Sequence, residues 1–337
     1  MVSRPEEVRD HGGSLASARA LFPHAPEPWI DLSTGINPHP YKLPPIPASA
    51  WERLPEADDA LRVAAAQAYR APSAANVVAA PGTQILLPLV ARLVQPGLAR
   101  VLSPTYAEHA RAARLIGHRV EEVESVDALA EADLAVLVNP NNPDGRLLDR
   151  PVLLDLAARL HRRGGLLVVD EAFMDVGDLA RAGMCGAVSD VPNLVVLRSF
   201  GKFFGLAGLR LGFGVAHEAL AQKIQAEFGP WAASGPAAEV GRVALGDAAW
   251  QDDMRARLAA DAARLDALLA RRDLTVSGGT SLFRFVRSSR AAVVFDACGK
   301  GGIYLRRFEA TPDALRFGLP GDEAGWERLD RALGSVP

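Results

Sequence analysis

Apolar and polar positions change rhythm twice along this chain of 337 residues. Up to about residue 50, Pro, Gly and His are frequent and no period is sustained, which predicts an extended arm rather than a core element. From Asp58 to Arg70 the apolar positions Leu61, Val63 to Ala66 and Tyr69 recur at helical spacing behind an acidic start. Short apolar runs then alternate with helical stretches. Strands are predicted at 76–80, from 100, and at 119–123, 133–138, 165–170, 193–197 and 210–215, with helices over 85–94, up to Ile116 and over 149–162. The runs at 133–138 and 165–170 are almost continuously apolar, as strands buried on both faces are. This alternation predicts an α/β fold, a mostly parallel sheet between two helical layers (α/β/α). After Ala216 the texture shifts to long Ala/Arg/Leu helices (218–227, 237–245, 250–271), short strands at 274–276, 282–286, 303–306 and 315–317, and a closing helix over 323–333. That pattern predicts a smaller α+β domain, giving an arm over 1–45, a large domain over 46–220 and a small domain over 221–337.

Composition narrows the function classes. A net charge of −3 and 49% hydrophobic content give a sizeable core and no electrostatic footprint for nucleic acid or a membrane surface. Cys185 and Cys298 are far apart and near no partner at metal spacing, so neither a disulfide framework nor a metal site is indicated. The polar start and the lack of any apolar stretch of spanning length lead to the expectation of a cytoplasmic enzyme acting on small molecules.

Candidate chemistry gathers at the predicted strand ends. The chain has four lysines among 37 basic residues, and Lys202 is the one held between glycines on a turn, in the stretch 199–210. Arginine stays protonated at neutral pH, whereas a partly desolvated lysine can lose its proton and attack an aldehyde. A solvated loop lysine would leave the same local pattern. Thr83, Tyr106, Asn142, Asp170 and Lys202 all fall at or just past a strand end, the edge where open parallel sheets bind ligands. An aromatic aldehyde with a phosphate and a ring nitrogen, as pyridoxal 5'-phosphate is, gives each of them a task. Lys202 would bind the aldehyde, Asp170 would hold the ring nitrogen protonated, Asn142 would donate to the phenolate oxygen, and Tyr106 would stack on the ring. The phosphate would rest on the amides of Gly82, Thr83 and Gln84, with Ser199 and Arg210 completing the cradle.

In this order the segments Asn139-Pro140-Asn141-Asn142-Pro143-Asp144-Gly145, Val168 to Phe173, Ser199 to Lys202 and Gly205 to Arg210 resemble the fold-type I pyridoxal-phosphate enzymes of the class I/II aminotransferase group, along nearly the whole chain. Within the group the chain looks most like the threonine-phosphate decarboxylases and related cobalamin-biosynthesis proteins. That likeness rests on the arm with His11-Gly12-Gly13, on the segment from Leu32 to Pro38, and on Asp144 where relatives usually carry threonine. Histidinol-phosphate aminotransferases are the nearest alternative, and a catalytically idle cofactor-binding scaffold is a reading of a different class. The resemblance implies a homodimer and an amino-acid phosphate substrate. It assigns Arg316 to the substrate carboxylate, Gly35 and Asn37 to the same end of the pocket, and Arg306, or the adjacent Arg307, to the substrate phosphate, with His11 beside it. Phe173 and Leu54 stand where relatives often carry tyrosines, the first on the phenolate oxygen and the second, from the partner subunit, on the cofactor phosphate.

Overall fold

The longest apolar runs become the most deeply buried strands. The computed structural model describes residues 11–55 and 59–336. Its strands are β1 (Ile30–Leu32), β2 (Val77–Ala80), β3 (Leu98–Leu102), β4 (Arg119–Val123), β5 (Leu134–Val138), β6 (Leu166–Asp170), β7 (Leu194–Ser199), β8 (Gly212–Ala216), β9 (Val276–Thr280), β10 (Phe283–Arg287), β11 (Ile303–Arg307) and β12 (Ala314–Gly318). By backbone contact the described chain divides into two units, one holding Tyr41–Asn142 and Leu147–Gln251, the other holding residues 11–40, Pro143–Arg146 and residues 252–336.

The first unit is built on a seven-stranded sheet in the order β2-β8-β7-β6-β5-β3-β4, in which only β8 runs against its neighbours. Every residue of β5 and β6 is buried, as the unbroken apolar runs require of strands covered on both faces. Val78, Val101, Val136, Val168 and Val195 meet Leu86 and Val90 of the helix Thr83–Ala91 and Ala110 and Ala113 of the helix Glu108–Ile116 in one core. Because β2, β3, β5, β6 and β7 share a direction, their C-terminal ends open on one edge, and the reversed β8 starts there. The helices Glu218–Phe228 and Gly235–Gly246 pack on β2 and on the helix Asp59–Tyr69, so by contact they lie in this unit. The predicted helix start at Ala57-Asp58 lies outside the described residues.

The second unit carries a five-stranded sheet in the order β1-β11-β12-β10-β9, antiparallel except where β1 runs alongside β11. Three features depart from the sequence pattern. The arm is not simply extended: the Ser14 hydroxyl caps a helix over Leu15–Leu21, and β1 joins β11 with Ile30 opposite Ile303. Seven-residue and three-residue elements are too short to show a period, and β1 exists only through its distant partner. The helix Ala291–Lys300, unforeseen because Val293, Val294 and Gly299 are poor helix formers, is held by its packing on β11. The strand expected at 274–276 runs instead over Val276–Thr280, through two glycines. A Cβ at Gly278 would collide with the carbonyl of Asp144, so glycine there admits a neighbouring chain rather than ending the strand.

Candidate active site

At the open edge of the first unit a small cradle is formed largely by backbone. Gly82, at a φ of +87°, precedes the helix Thr83–Ala91, whose first amides have no partner within the helix. A Cβ on Gly82 would come within 2.6 Å of the Arg210 guanidinium, so glycine is what lets that cation lie against the turn. Ser199 pairs with Gly212 in register, and a Cβ on Gly212 would sit 2.7 Å from the Thr83 amide nitrogen. Gly82, Thr83, Ser199, Arg210 and Gly212 therefore converge on one small volume, with a cation and helix amides facing it. Arg210 itself adopts a left-handed backbone, φ 54°, and one guanidinium nitrogen donates to the Ala207 carbonyl at 3.1 Å.

Tyr106 is fixed by a chain of hydrogen bonds. Its hydroxyl donates to Gln84 at 3.0 Å, the Gln84 amide donates to Glu108 at 2.7 Å, and Arg111 donates to the same carboxylate at 3.2 Å. Burial, with Glu108 and Asp170 nearby, pushes the Tyr106 phenol up to about 12, so it stays a neutral donor. The His109 ring meets the Tyr106 ring edge-on, and its Nε2 donates to Asp170 at 2.9 Å. The other Asp170 oxygen accepts from the Ala172 amide at 2.9 Å. A carboxylate 5% exposed is thus held by two donors at the end of β6. Lys202 lies in the short helix Phe200–Phe203, with Nζ 5.9 Å from the centre of the Phe173 ring.

The asparagines of the turn after β5 divide their work. Asn139 bonds Leu148 through both its carbonyl and its amide, and Asn141 accepts from Thr105 and donates to the Pro104 carbonyl. Asn139 and Asn141 are fully buried and lock the turn beside Tyr106, whereas Asn142 is only half-buried.

The second unit gathers the other candidates on its sheet. Arg306 and Arg316 are direct partners on β11 and β12, so both project from the same face, while Arg307 alternates to the other and covers Phe295. Arg316 is 6% exposed, donates to the Ser33 carbonyl at 2.7 Å and lies 5.0 Å over Phe283. Burial, then the neighbouring Arg306 charge, pulls its guanidinium down to about 9 against the opposing pull of Asp31. The Gly13 amide donates to the Ser33 hydroxyl at 2.7 Å, and that hydroxyl donates to Asp31 at 2.6 Å. Any Cβ on Gly12 would strike the Ser33 carbonyl, so the glycine pair seats the arm against Arg316's own partner. His11 is exposed, Gly35 and Asn37 are buried, and the Asn37 side chain accepts from the His39 amide at 2.8 Å. Among the described residues no group of His, Cys, Asp or Glu gathers as a metal site, and both cysteines are free and buried.

Sequence reasoning overlooked His109, Glu108 and Ser33. His109 stands three residues past Tyr106 in the first turn of a helix following a strand, a position from which it could have been singled out. Ser33 lies in the segment Leu32 to Pro38 that the sequence singled out, but its own role gave no signal, because it depends on a residue nearly three hundred positions away.

The family described as Aminotransferase class I and II matches residues 28–333. The threonine-phosphate decarboxylase of Pseudomonas aeruginosa is 45% identical over 327 residues, covering 96% of this chain and 97% of that protein. Histidinol-phosphate aminotransferase 2 of Archaeoglobus fulgidus is 31% identical over 80% of this chain and 78% of its own length. Among solved structures, the histidinol-phosphate aminotransferase from Sinorhizobium meliloti in complex with pyridoxal-5'-phosphate superposes with a TM-score of 0.84 at 22% identity, covering 99% of this chain and 95% of that one.

Proposed function

The chain belongs to the aminotransferase class I and II family, and from that premise we propose that it is a pyridoxal-phosphate enzyme that decarboxylates L-threonine O-3-phosphate to (R)-1-amino-2-propanol phosphate, the aminopropanol precursor of cobalamin biosynthesis. The observation that carries this reading is the pair Arg306 and Arg316 on one sheet face. Two guanidiniums side by side, one deeply buried, call for two anionic groups, and an amino-acid phosphate brings a phosphate and a carboxylate. The relative at 45% identity, named for the same substrate, supports it.

The edge of the first unit fits the cofactor. Gly82, Thr83 and the Gln84 amide with Ser199 and Arg210 would hold its phosphate, and Tyr106 would cover the ring. Asp170, backed by His109, would keep a proton on the ring nitrogen. The Asn142 amide would donate to the phenolate oxygen, a task that Phe173 cannot share because it has no hydroxyl. Bound there, pyridoxal phosphate supplies the electron sink for the bond broken at the substrate's Cα. Lys202 would provide the amine that holds the cofactor's aldehyde and, once displaced by the substrate's amine, would be free to carry a proton to Cα. Arg316 would orient the carboxylate, and the orientation at Cα decides which bond is cleaved. Strand parity favours Arg306 over Arg307 for the substrate phosphate, and Gly35, Asn37 and His11 would complete that end.

On the same reading the enzyme is a cytoplasmic homodimer acting on a small molecule. No helix among the described residues is long and apolar enough to cross a membrane. Trp51, Leu54 and Trp231, each more than half exposed, are apolar area that a second copy would cover. Transamination of histidinol phosphate is the second reading, favoured by the relative at 31% identity. A screen with carbon dioxide and keto-acid readouts in parallel tests both. Carbon dioxide from threonine phosphate is expected; its absence, together with transamination of histidinol phosphate, would reverse the order. Lys202→Ala is expected to abolish both the visible absorbance band of the cofactor-loaded protein and turnover, which also separates an enzyme from an idle scaffold.

A further inference from the structure

Behind the edge that carries Asp170 and Ser199 lies a buried cluster of charges that the proposed reaction does not use. Asp170 and Leu197 are direct partners on β6 and β7, so by alternation Asp170, Leu197 and Ser199 project from one face and Glu171 and Arg198 from the other. The Glu171 amide donates to the Leu197 carbonyl at 2.8 Å, carrying the ladder one step past β6. Arg198 donates through one nitrogen to Glu171 at 2.9 Å and through another to Asp175 at 2.6 Å, and its guanidinium lies 4.4 Å over the Tyr69 ring. Arg198 and Glu171 are 0% exposed and Asp175 is 4% exposed. The second Glu171 oxygen accepts from the Met184 amide at 2.6 Å, tying in the segment that follows.

Three ions taken out of water are costly, and a well-packed apolar set of similar volume holds a fold as well or better. Such a set lacks direction. A guanidinium fork gripping two carboxylates fixes angles and separations that alkyl side chains leave loose. The cluster therefore serves geometry more than stability, and the geometry it governs is that of two adjacent strand ends.

We propose that Arg198 is a positioning residue of the cofactor site: by gripping Glu171 and Asp175 on the reverse face of the sheet, it sets the spacing of Asp170 from Ser199 and from Lys202. The proposal rests on that edge being the pyridoxal-phosphate site. Its test compares the cofactor-loaded wild type with Arg198→Lys, which keeps a cation without the fork, and with the triple variant Arg198→Met, Glu171→Leu, Asp175→Asn, which removes the charges together. In the triple variant the melting temperature is expected to stay close to wild type. The pH midpoint of the visible cofactor band should move by about half a unit or more, and kcat should fall roughly ten- to hundred-fold with KM within about two-fold, as for a misplaced catalytic group. Arg198→Lys should show a smaller shift in the same direction. A triple variant with an unmoved midpoint and unchanged kcat would mark the cluster as structural only. Should the triple variant not fold, an unmoved midpoint in Arg198→Lys overturns the proposal. A wild type that shows no visible band with pyridoxal phosphate overturns the cofactor reading and this assignment with it, whereas a normal band left unmoved by the variants overturns this assignment alone.

Discussion

A carboxylate serves under a heterocycle only while it is correctly aimed, and in the proposed cofactor site the His109 hydrogen bond would aim Asp170. Hydrogen bonds to charged groups contribute about 1.5–3 kcal/mol. His109→Phe, which keeps the bulk and removes the donor, is expected to lower kcat roughly ten- to hundred-fold; steady-state rates beside the wild type decide it, and an unchanged kcat would leave the histidine a packing residue. Arg316 gives a pH prediction. Its guanidinium is cationic below about 9 and neutral above, since burial and Arg306 disfavour the charge. Anion recognition is thus fully present below that pH and weakens as pH rises through it. KM for threonine phosphate should rise up to about ten-fold per unit above about pH 9, and a flat KM profile from 7 to 10 would show that Arg316 does not meet an anion. At this scale the sequence singled out residues by what stands next to them in the chain, as with Lys202 between glycines and Asp170 at the end of an apolar run. It was silent on His109, Glu108 and Ser33, whose value lies in their partners.

Among elements, the strand-to-helix turns carry the design. A parallel sheet brings the ends of β2, β5, β6 and β7 to one edge with no help from side chains, which is why alternating apolar runs sufficed to locate Gly82, Asn142, Asp170 and Ser199 together. The close approach of β8 to the first amide of the helix Thr83–Ala91 was not readable, because it depends on Gly212 lacking a Cβ. Gly212→Ala would put a methyl 2.7 Å from a backbone nitrogen, and backbone cannot swing aside as a flexible side chain can. The strand and the helix end must part, widening the phosphate cradle. The Kd for pyridoxal phosphate should rise about ten-fold or more, while the far-ultraviolet spectrum keeps its α/β shape. Titration of the apoprotein checks this, and an unchanged Kd would place the phosphate elsewhere.

At the scale of the whole molecule, the proposed roles fall in two units that the chain enters and leaves more than once. Every proposed cofactor residue, from Gly82 to Arg210, belongs to the first, and His11, Gly35, Asn37, Arg306 and Arg316 all belong to the second. The apolar pattern reveals the strands of the first unit almost completely, since most of them are short apolar runs alternating with helical stretches, although their order is not sequential: β2 pairs with β8 and β3 with β5. In the second it reveals the strands β10, β11 and β12 and the closing helix but not how the arm joins them, since β1 meets a strand that lies far down the chain. The division has a consequence that can be measured. Arg306→Ala removes a charge-assisted contact of about 1.5–3 kcal/mol, and KM for threonine phosphate should rise roughly ten- to hundred-fold. The same variant should leave both the Kd for pyridoxal phosphate and the visible spectrum of the resting protein as they are in the wild type, because Arg306 pairs with Arg316 and lies over Phe308, in the unit that carries no proposed cofactor residue. Gly212→Ala is expected to behave in the opposite way. Should Arg306→Ala loosen the cofactor as much as it weakens the substrate, recognition and cofactor binding would be one cooperative property, and assigning each to its own unit would be wrong.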